Sequence, residues 1–479
     1  MRHRIIILAV TLFLGVSCSD FLELQPENQI NDQSFYLTEN DYEAAIVGPY
    51  ANLQNLHNSA FLYLTELPTD NTIVTLQSPG VSELECDEVR FTSTNGYVNT
   101  MWSSSYNAIS RCNNILVRVE SSGISDEAKR KYKGEALFLR AYCYFNLVRL
   151  FGPVSIVETS FNNPGEVADF DMTRKPESEV YALIVRDLTE AAGLLTDVSG
   201  LGKGRASSGA AYALLGKVYL TLKQYDLAED ALWTVIDSKQ YTLVPNYKSL
   251  FTNSNDDLSE SIFEIKYLTG SVGEGNSFGQ QLVPALYGGM ALFPGNQLGG
   301  GRLSPTSNMA NAYEAGDLRK KASVSDSIPL SDGTVYRMLY GLKFVDFTAS
   351  NVADMDINFT ALRYADVLLM YAEVLNETNR TELAHGYLNP VRNRAGLGSL
   401  SGLSKADFTL TLEKERRVEF LYEGHRWFDL VRTGRAQAVI NAYFAGSNLS
   451  YSVEDYELLM PIPQREIDVD PELEQNPDY

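Results

Sequence analysis

The chain has 479 residues and a formal charge of −22, too long for one small core and too acidic to favour a phosphate backbone as partner. Four cysteines without CxxC spacing argue against a disulfide framework or zinc, and four histidines (His3, His57, His385, His425) show no ligand spacing. The balance suits neutral ligands better than polyanions, and 28 tyrosines against three tryptophans supply rings for packing or for stacking on sugars.

At the N-terminus, Arg2, His3 and Arg4 precede an apolar run from Ile5 to Val16. That run is shorter than the roughly 20 residues a membrane-spanning helix needs and has the order of a secretory signal. Small Ser17 stands before Cys18, so the segment resembles a bacterial lipoprotein signal with Cys18 as the lipidated residue, although Gly15 stands where that class usually has Leu. The alternative is a plain secretory signal with an incidental cysteine. The expected organisation is a signal over 1–17, a lipidated leash over 18–33 and one composite domain over 34–479. Beyond the signal no apolar run reaches transmembrane length, so lipid would be the only membrane attachment.

The domain reads as helices separated by long loops. A first helix starts at Thr38, with Asp41 placed for a capping box. A second covers about 100–119, where Trp102, Tyr106, Ile109, Asn113 and Leu116 recur every three to four residues. A third runs from about Glu127 to Phe151 and stops at Gly152–Pro153; a fourth spans about 177–195. Residues 205–238 carry a tetratricopeptide spacing, with Leu215, Gly216, Tyr219 and Ala228 matching its signature and Lys223–Gln224–Tyr225 as the turn. Weaker pairs fall at 133–151 with 177–195 and at 361–377 with 382–394, so helix pairs are expected over about 127–238 and 361–435. Pro390 inside the last helix should kink it or remove a hydrogen bond. Cys112 and Cys143 read as buried thiols, and Cys86 as part of a polar linker.

Two segments are different in kind. Residues 268–306 hold ten glycines between Gly270 and Gly301, interleaved with Phe278, Tyr287, Phe293 and several amides. Residues 67–99 carry Asp70, Asn71, Arg90, Phe91 and Tyr97. Both are too long and too rich in aromatic and polar groups for connectors, and are expected to meet on one face of the helical scaffold.

The densest charged motif runs from Glu413 to Gly434. Glu419, His425 and Asp429 there offer an acid–base reading. The alternative, favoured because arginine–carboxylate forks commonly tie helices together, is structural. No carboxylate pair stands out as a glycosidase pair, no GxSxG elbow occurs, and Gly299–Arg302 lacks the Lys–Ser/Thr of a phosphate loop. No metal or cofactor is expected.

The segment Glu413–Gly434 resembles the SusD/RagB family of Bacteroidetes outer-membrane lipoproteins. So do Leu459–Ile467, Gln475–Tyr479, Leu362–Glu373, Val391–Gly396, Ser304–Thr306, Tyr313–Arg319, Trp102–Asn113 and Cys18–Leu22 with Pro26. The resemblance implies an all-α scaffold of four tetratricopeptide-like helix pairs, with irregular loops and few short strands. It implies binding rather than catalysis: capture of oligosaccharides on the outer membrane's extracellular face, as a lid over a SusC-like TonB-dependent transporter. Peptides are the alternative ligand, as in RagB-like members, and a surface glycan hydrolase is a further alternative. Trp102, Trp233 and Trp427 all fall in helical motifs and are assigned to packing. Stacking then falls to Phe91, Tyr97, Phe278, Tyr287 and Phe293, and polar contacts to Asp70, Asn71, Arg90, Asn296 and Arg302.

Overall fold

The computed structural model describes residues 35–196, 202–253, 255–285, 292–329 and 334–479. Cys18, the expected signal and leash, and Tyr287 lie outside them. Twelve longer helices form the frame: α1 (Glu39–Leu56), α2 (Val81–Asp87), α3 (Gly96–Val119), α4 (Asp126–Phe151), α5 (Glu177–Leu194), α6 (Ser208–Thr221), α7 (Tyr225–Asp237), α8 (Tyr364–Glu377), α9 (Thr381–Arg394), α10 (Lys405–Glu419), α11 (Arg426–Arg432) and α12 (Ala436–Gly446). Strands are short and pair two by two, all antiparallel: β1 (Thr72–Ile73) with β5 (Ser304–Pro305), β2 (Val154–Ser155) with β3 (Arg174–Lys175), β4 (Ser261–Ile265) with β8 (Phe359–Arg363), and β6 (Val324–Pro329) with β7 (Val335–Gly341). The architecture is the expected all-α, tetratricopeptide-like scaffold. No helix among the described residues is long and apolar enough to cross a membrane.

Local chemistry sets the helix ends. The Thr38 hydroxyl accepts from the Asp41 N–H (3.3 Å) while the Asp41 carboxylate accepts from the Thr38 N–H (2.8 Å), closing the capping box that opens α1. Asn95 caps α3, which starts four residues before the expected position, its side chain accepting from the N–H groups of Tyr97 and Val98. Ser125 caps α4, which ends at Gly152. α9 continues through Pro390, which is solvent-exposed. The missing donor therefore lies on the wet side, where water can satisfy the Gly386 carbonyl.

The helices stack in sequence. α1 packs on α3, α3 on α4, α4 on α5, α5 on α6, α6 on α7, α7 on α8 and α8 on α9. The run thus begins at α1, earlier than the helix-pair spacing suggests, and α7 meets α8 across an insertion spanning 238–363. Gly216 shows why the tetratricopeptide signature needs glycine: a Cβ there would sit 2.6 Å from Cγ of Leu232 on α7. Trp102 and Trp427 are buried as expected, but Trp233 is not packing material. It is 43% exposed on the outer side of α7, its ring 5.8 Å from Tyr371. Cys86 is likewise corrected: it lies on α2, and its side chain is as buried as Cys112 and Cys143.

The C-terminal motif is an ion-pair core. Arg363 donates to Glu260 (2.8 Å), Glu419 (2.7 Å) and Glu423 (2.7 Å). Arg319 donates to Asp317 (2.8 Å), Glu415 (2.6 Å) and Glu419 (2.9 Å), and Arg394 reaches Glu260 and Glu419. Burial alone would raise the Glu419 carboxyl, but Arg394, Arg363 and Arg319 together hold it far below the usual range. Asp429 is held low by Arg416 and Arg432 against the same burial, and His425 stacks on Phe420 at 4.4 Å. These three residues are fixtures of the scaffold rather than an acid–base site.

Candidate functional site

The two loop-rich segments meet. β1 pairs with β5, so Thr72 lies opposite Pro305 and Ile73 opposite Ser304. The N–H groups of Thr75 and Leu76 both donate to the Gly301 carbonyl (2.9 and 3.0 Å), and the Thr75 and Ser304 hydroxyls lie 2.7 Å apart. The glycine-rich stretch itself folds back on the short helix Phe278–Leu282. Gly300 N–H donates to the Gln280 carbonyl, and the N–H groups of Arg302 and Leu303 share that of Gln281.

This junction gathers a polar and aromatic group of residues. Arg302 Nε donates to Glu83 on α2 (3.0 Å), and its Nη1 donates to the Gln281 side chain (2.9 Å). The Tyr97 hydroxyl donates to the same Glu83 oxygen (3.0 Å). Tyr63 stacks on Tyr97 with ring centroids 4.1 Å apart and planes within 9°. Burial, then the neighbouring Tyr63 and Glu83, push the Tyr97 hydroxyl well above its ordinary pKa, so it stays a hydrogen-bond donor at any physiological pH. Tyr97, Gln281 and Arg302 all retain partial exposure. The result is a ring, a guanidinium and an amide at one surface, the ring and the guanidinium held from beneath by the buried Glu83 carboxylate.

Of the ten candidate contact residues, Tyr97 and Arg302 are the two brought together in this way. Asp70 and Asn71 are corrected. Asp70 accepts two bonds from Arg426 (2.9 and 3.1 Å) and pairs with Arg417 (3.0 Å), while Asn71 accepts from Arg417 (2.8 Å) and donates to Glu66 (3.3 Å). Both are buried and serve to tie β1 to the C-terminal motif. Phe91 and Phe278 are core residues, Phe278 lying edge-on to Tyr267, Phe344 and Phe359. Phe293 is buried in a satellite cluster, stacked on Phe347 at 5.7 Å. In each case the apolar ring is worth more inside than at the surface. Arg90 is exposed and faces Glu88 at 3.9 Å, and Asn296 closes a single 3-10 turn, Pro294–Asn296.

The sequence reading missed Glu83, Gln281 and Tyr63, which lack any periodic or motif signal. It also missed a cleft of about 520 Å³ between the segment following β5 and the β6–β7 hairpin. Asn311, Lys320, Lys321 and Asp326 line it, over Leu339 and Leu342. The adjacent lysines, in so acidic a chain, were the one available hint.

Comparison with known proteins agrees with this architecture. Residues 322–479 match the SusD family model, and residues 20–220 match one described as starch-binding, associating with outer membrane. The chain is 27% identical over 501 residues to SusD-like protein P2 of Formosa agariphila, covering 97% of each. Among solved structures, a laminarin-binding SusD-like protein superposes with a TM-score of 0.81 at 28% identity, covering 93% of this chain and 100% of that one. Surface glycan-binding protein A from Bacteroides fluxus gives 0.80 at 25% identity, covering 92% and 100%. With both ends of the chain matched and the whole fold shared, this protein belongs to the SusD/RagB family.

Proposed function

We propose that this protein captures oligosaccharides at the cell surface and delivers them to a SusC-like TonB-dependent transporter, held to the outer membrane by lipid on Cys18. The observation that carries the reading is the convergence of Tyr97, Glu83, Gln281 and Arg302 across two segments far apart in sequence. A neutral sugar offers C–H faces to an aromatic ring and hydroxyls to charged and amide groups, and this surface presents both kinds of partner. Tyr63 occupies one face of Tyr97, so a sugar would meet the other face or the ring edge. The glycan-binding names of the two matched structures support the ligand class. The role is binding rather than turnover, because the densest carboxylates of the chain are committed to arginines.

A glycan array followed by calorimetry, on the soluble chain lacking residues 1–18, tests this. Binding to at least one neutral glycan, weakened by Tyr97→Ala, is expected. Binding to peptides with silence toward all glycans would replace the ligand class, and product release from mixed polysaccharides would make the protein an enzyme. For the anchor, Cys18→Ala should move the protein out of the membrane fraction without lowering its melting temperature. Retention in that fraction, in cells lacking the transporter, would remove the lipid from the account.

A further inference from the structure

On the helix-pair side of the molecule, α4, α6, α10 and α11 border a cavity of about 40 Å³. Four cationic side chains line it: Arg149, Lys217, Arg416 and Arg432. Three of them are paired. Lys217 lies 2.6 Å from Asp366, Arg416 donates to Asp366 and Asp429 (both 2.8 Å), and Arg432 is shared by Asp429 and Glu373. Glu423, the other acid lining the cavity, is held by Lys343 (2.9 Å) and Arg363 (2.7 Å). Arg149 has no carboxylate within ion-pair distance among the described residues; its hydrogen bonds go to the Phe145 carbonyl (3.0 Å) and the Asn146 side-chain oxygen (2.6 Å).

The surroundings of Arg149 restrict how anything could reach it. Phe145 and Phe428 cover its two flat faces, with Cζ 3.8 and 3.5 Å from their ring centroids. Access is left only in the guanidinium plane, where N–H groups point and where a carboxylate or halide binds. Among the described residues Nη1 donates to nothing. Burial first, then Lys217, hold His425 well below its ordinary pKa against the opposing pull of Asp366, and burial likewise lowers Lys217, with Asp366 opposing and Arg149 adding to the lowering. Volume decides the size of the ligand. A water needs roughly 10–15 Å³ of such space, so the cavity takes a single small anion and not a sugar ring.

We propose that this cavity binds one small monovalent anion, a halide or a short carboxylate such as formate, in the plane of the Arg149 guanidinium with Lys217 as the second cation. The site is independent of the glycan face, and stabilises the junction of α4, α6 and α11 by supplying the counter-charge that Arg149 lacks. Bromide and formate are the probes. The full chain in detergent is melted at constant ionic strength while the bulky sulfonate MES is exchanged for bromide or formate. The midpoint should rise by roughly 1–3 °C per tenfold in anion once the site begins to fill. The rise should vanish in Arg149→Met. Equal anion responses in the two proteins would overturn the proposal. Should Arg149→Met not fold, anomalous diffraction from bromide-soaked wild-type crystals decides: a peak in the Arg149 plane supports the site, and bromide peaks elsewhere with none there defeat it.

Discussion

In the C-terminal core, Arg363 donates to three carboxylates while its side chain is 1% exposed. On the loop face, Arg302 donates to one carboxylate and one amide while its side chain stays 32% exposed. The residue types are the same, and the environments give them opposite work. A buried guanidinium has to be saturated, because desolvating it without partners costs several kcal/mol. A half-exposed one keeps spare donors in contact with water, and those donors are what a ligand hydroxyl can displace water from. Saturation marks scaffold here, and partial saturation marks the surface that can still bind something.

The contrast can be broken first at Glu419. Glu419→Ala removes the shared partner of Arg319, Arg363 and Arg394, and urea unfolding should show a loss of about 3–5 kcal/mol. A loss under 1 kcal/mol would mean the core is not held by its charges. Glu66 comes next. It is buried beside this core, accepting from the Gly424 N–H (2.9 Å) and from Asn71, and burial raises its carboxyl to about 7. In the folded protein it therefore keeps its proton where the unfolded chain, near 4.5, has lost it. Stability contributed by this group is fully present below pH 4.5 and is lost as pH rises through about 7. Compared with Glu66→Gln, the wild-type protein should lose up to about 3 kcal/mol between pH 4.5 and 8 in parallel denaturant series. Parallel curves would remove the assignment.

Gly216→Ala tests the helix-pair scaffold without touching a charge. The added methyl meets Leu232, and calorimetric melting should report about 1–3 kcal/mol of destabilisation. The loop face should give the smallest stability effects and the largest binding effects. Arg302→Ala should change unfolding by about 1 kcal/mol or less, since its pair with Glu83 is partly exposed. Its affinity for a captured glycan, read by calorimetry, should fall about 10-fold or more. The reverse result, large destabilisation with unchanged affinity, would turn the junction of the two loops into scaffold.

Much of the scaffold was legible because its signals are local. Thr38 with Asp41, Gly152 with Pro153, and Gly216 with Ala228 each specify a cap, a stop or a close approach within a few residues. The candidate site was legible only in outline. Its two segments stood out as long and rich in rings and amides, yet most of the residues chosen within them turned inward. Asp70 looks available in sequence, but its partner Arg426 lies 356 positions away. Trp233 erred in the other direction. Its position in a tetratricopeptide helix suggested packing, and it stands 43% exposed with its ring beside Tyr371 of α8.

The sequence by itself determined the helices and the tetratricopeptide-spaced pair, because caps, breakers and helical periodicity act over one or two turns, and its C-terminal motifs carried the family resemblance that implied the all-α class. Only the tertiary structure decided which polar residues bind and which brace. Arg302 and Glu83 are 219 positions apart, and their meeting depends on β1 finding β5 and on a glycine-rich stretch folding over a short helix. Burial decides the roles of such groups, and burial is a property of the assembled chain.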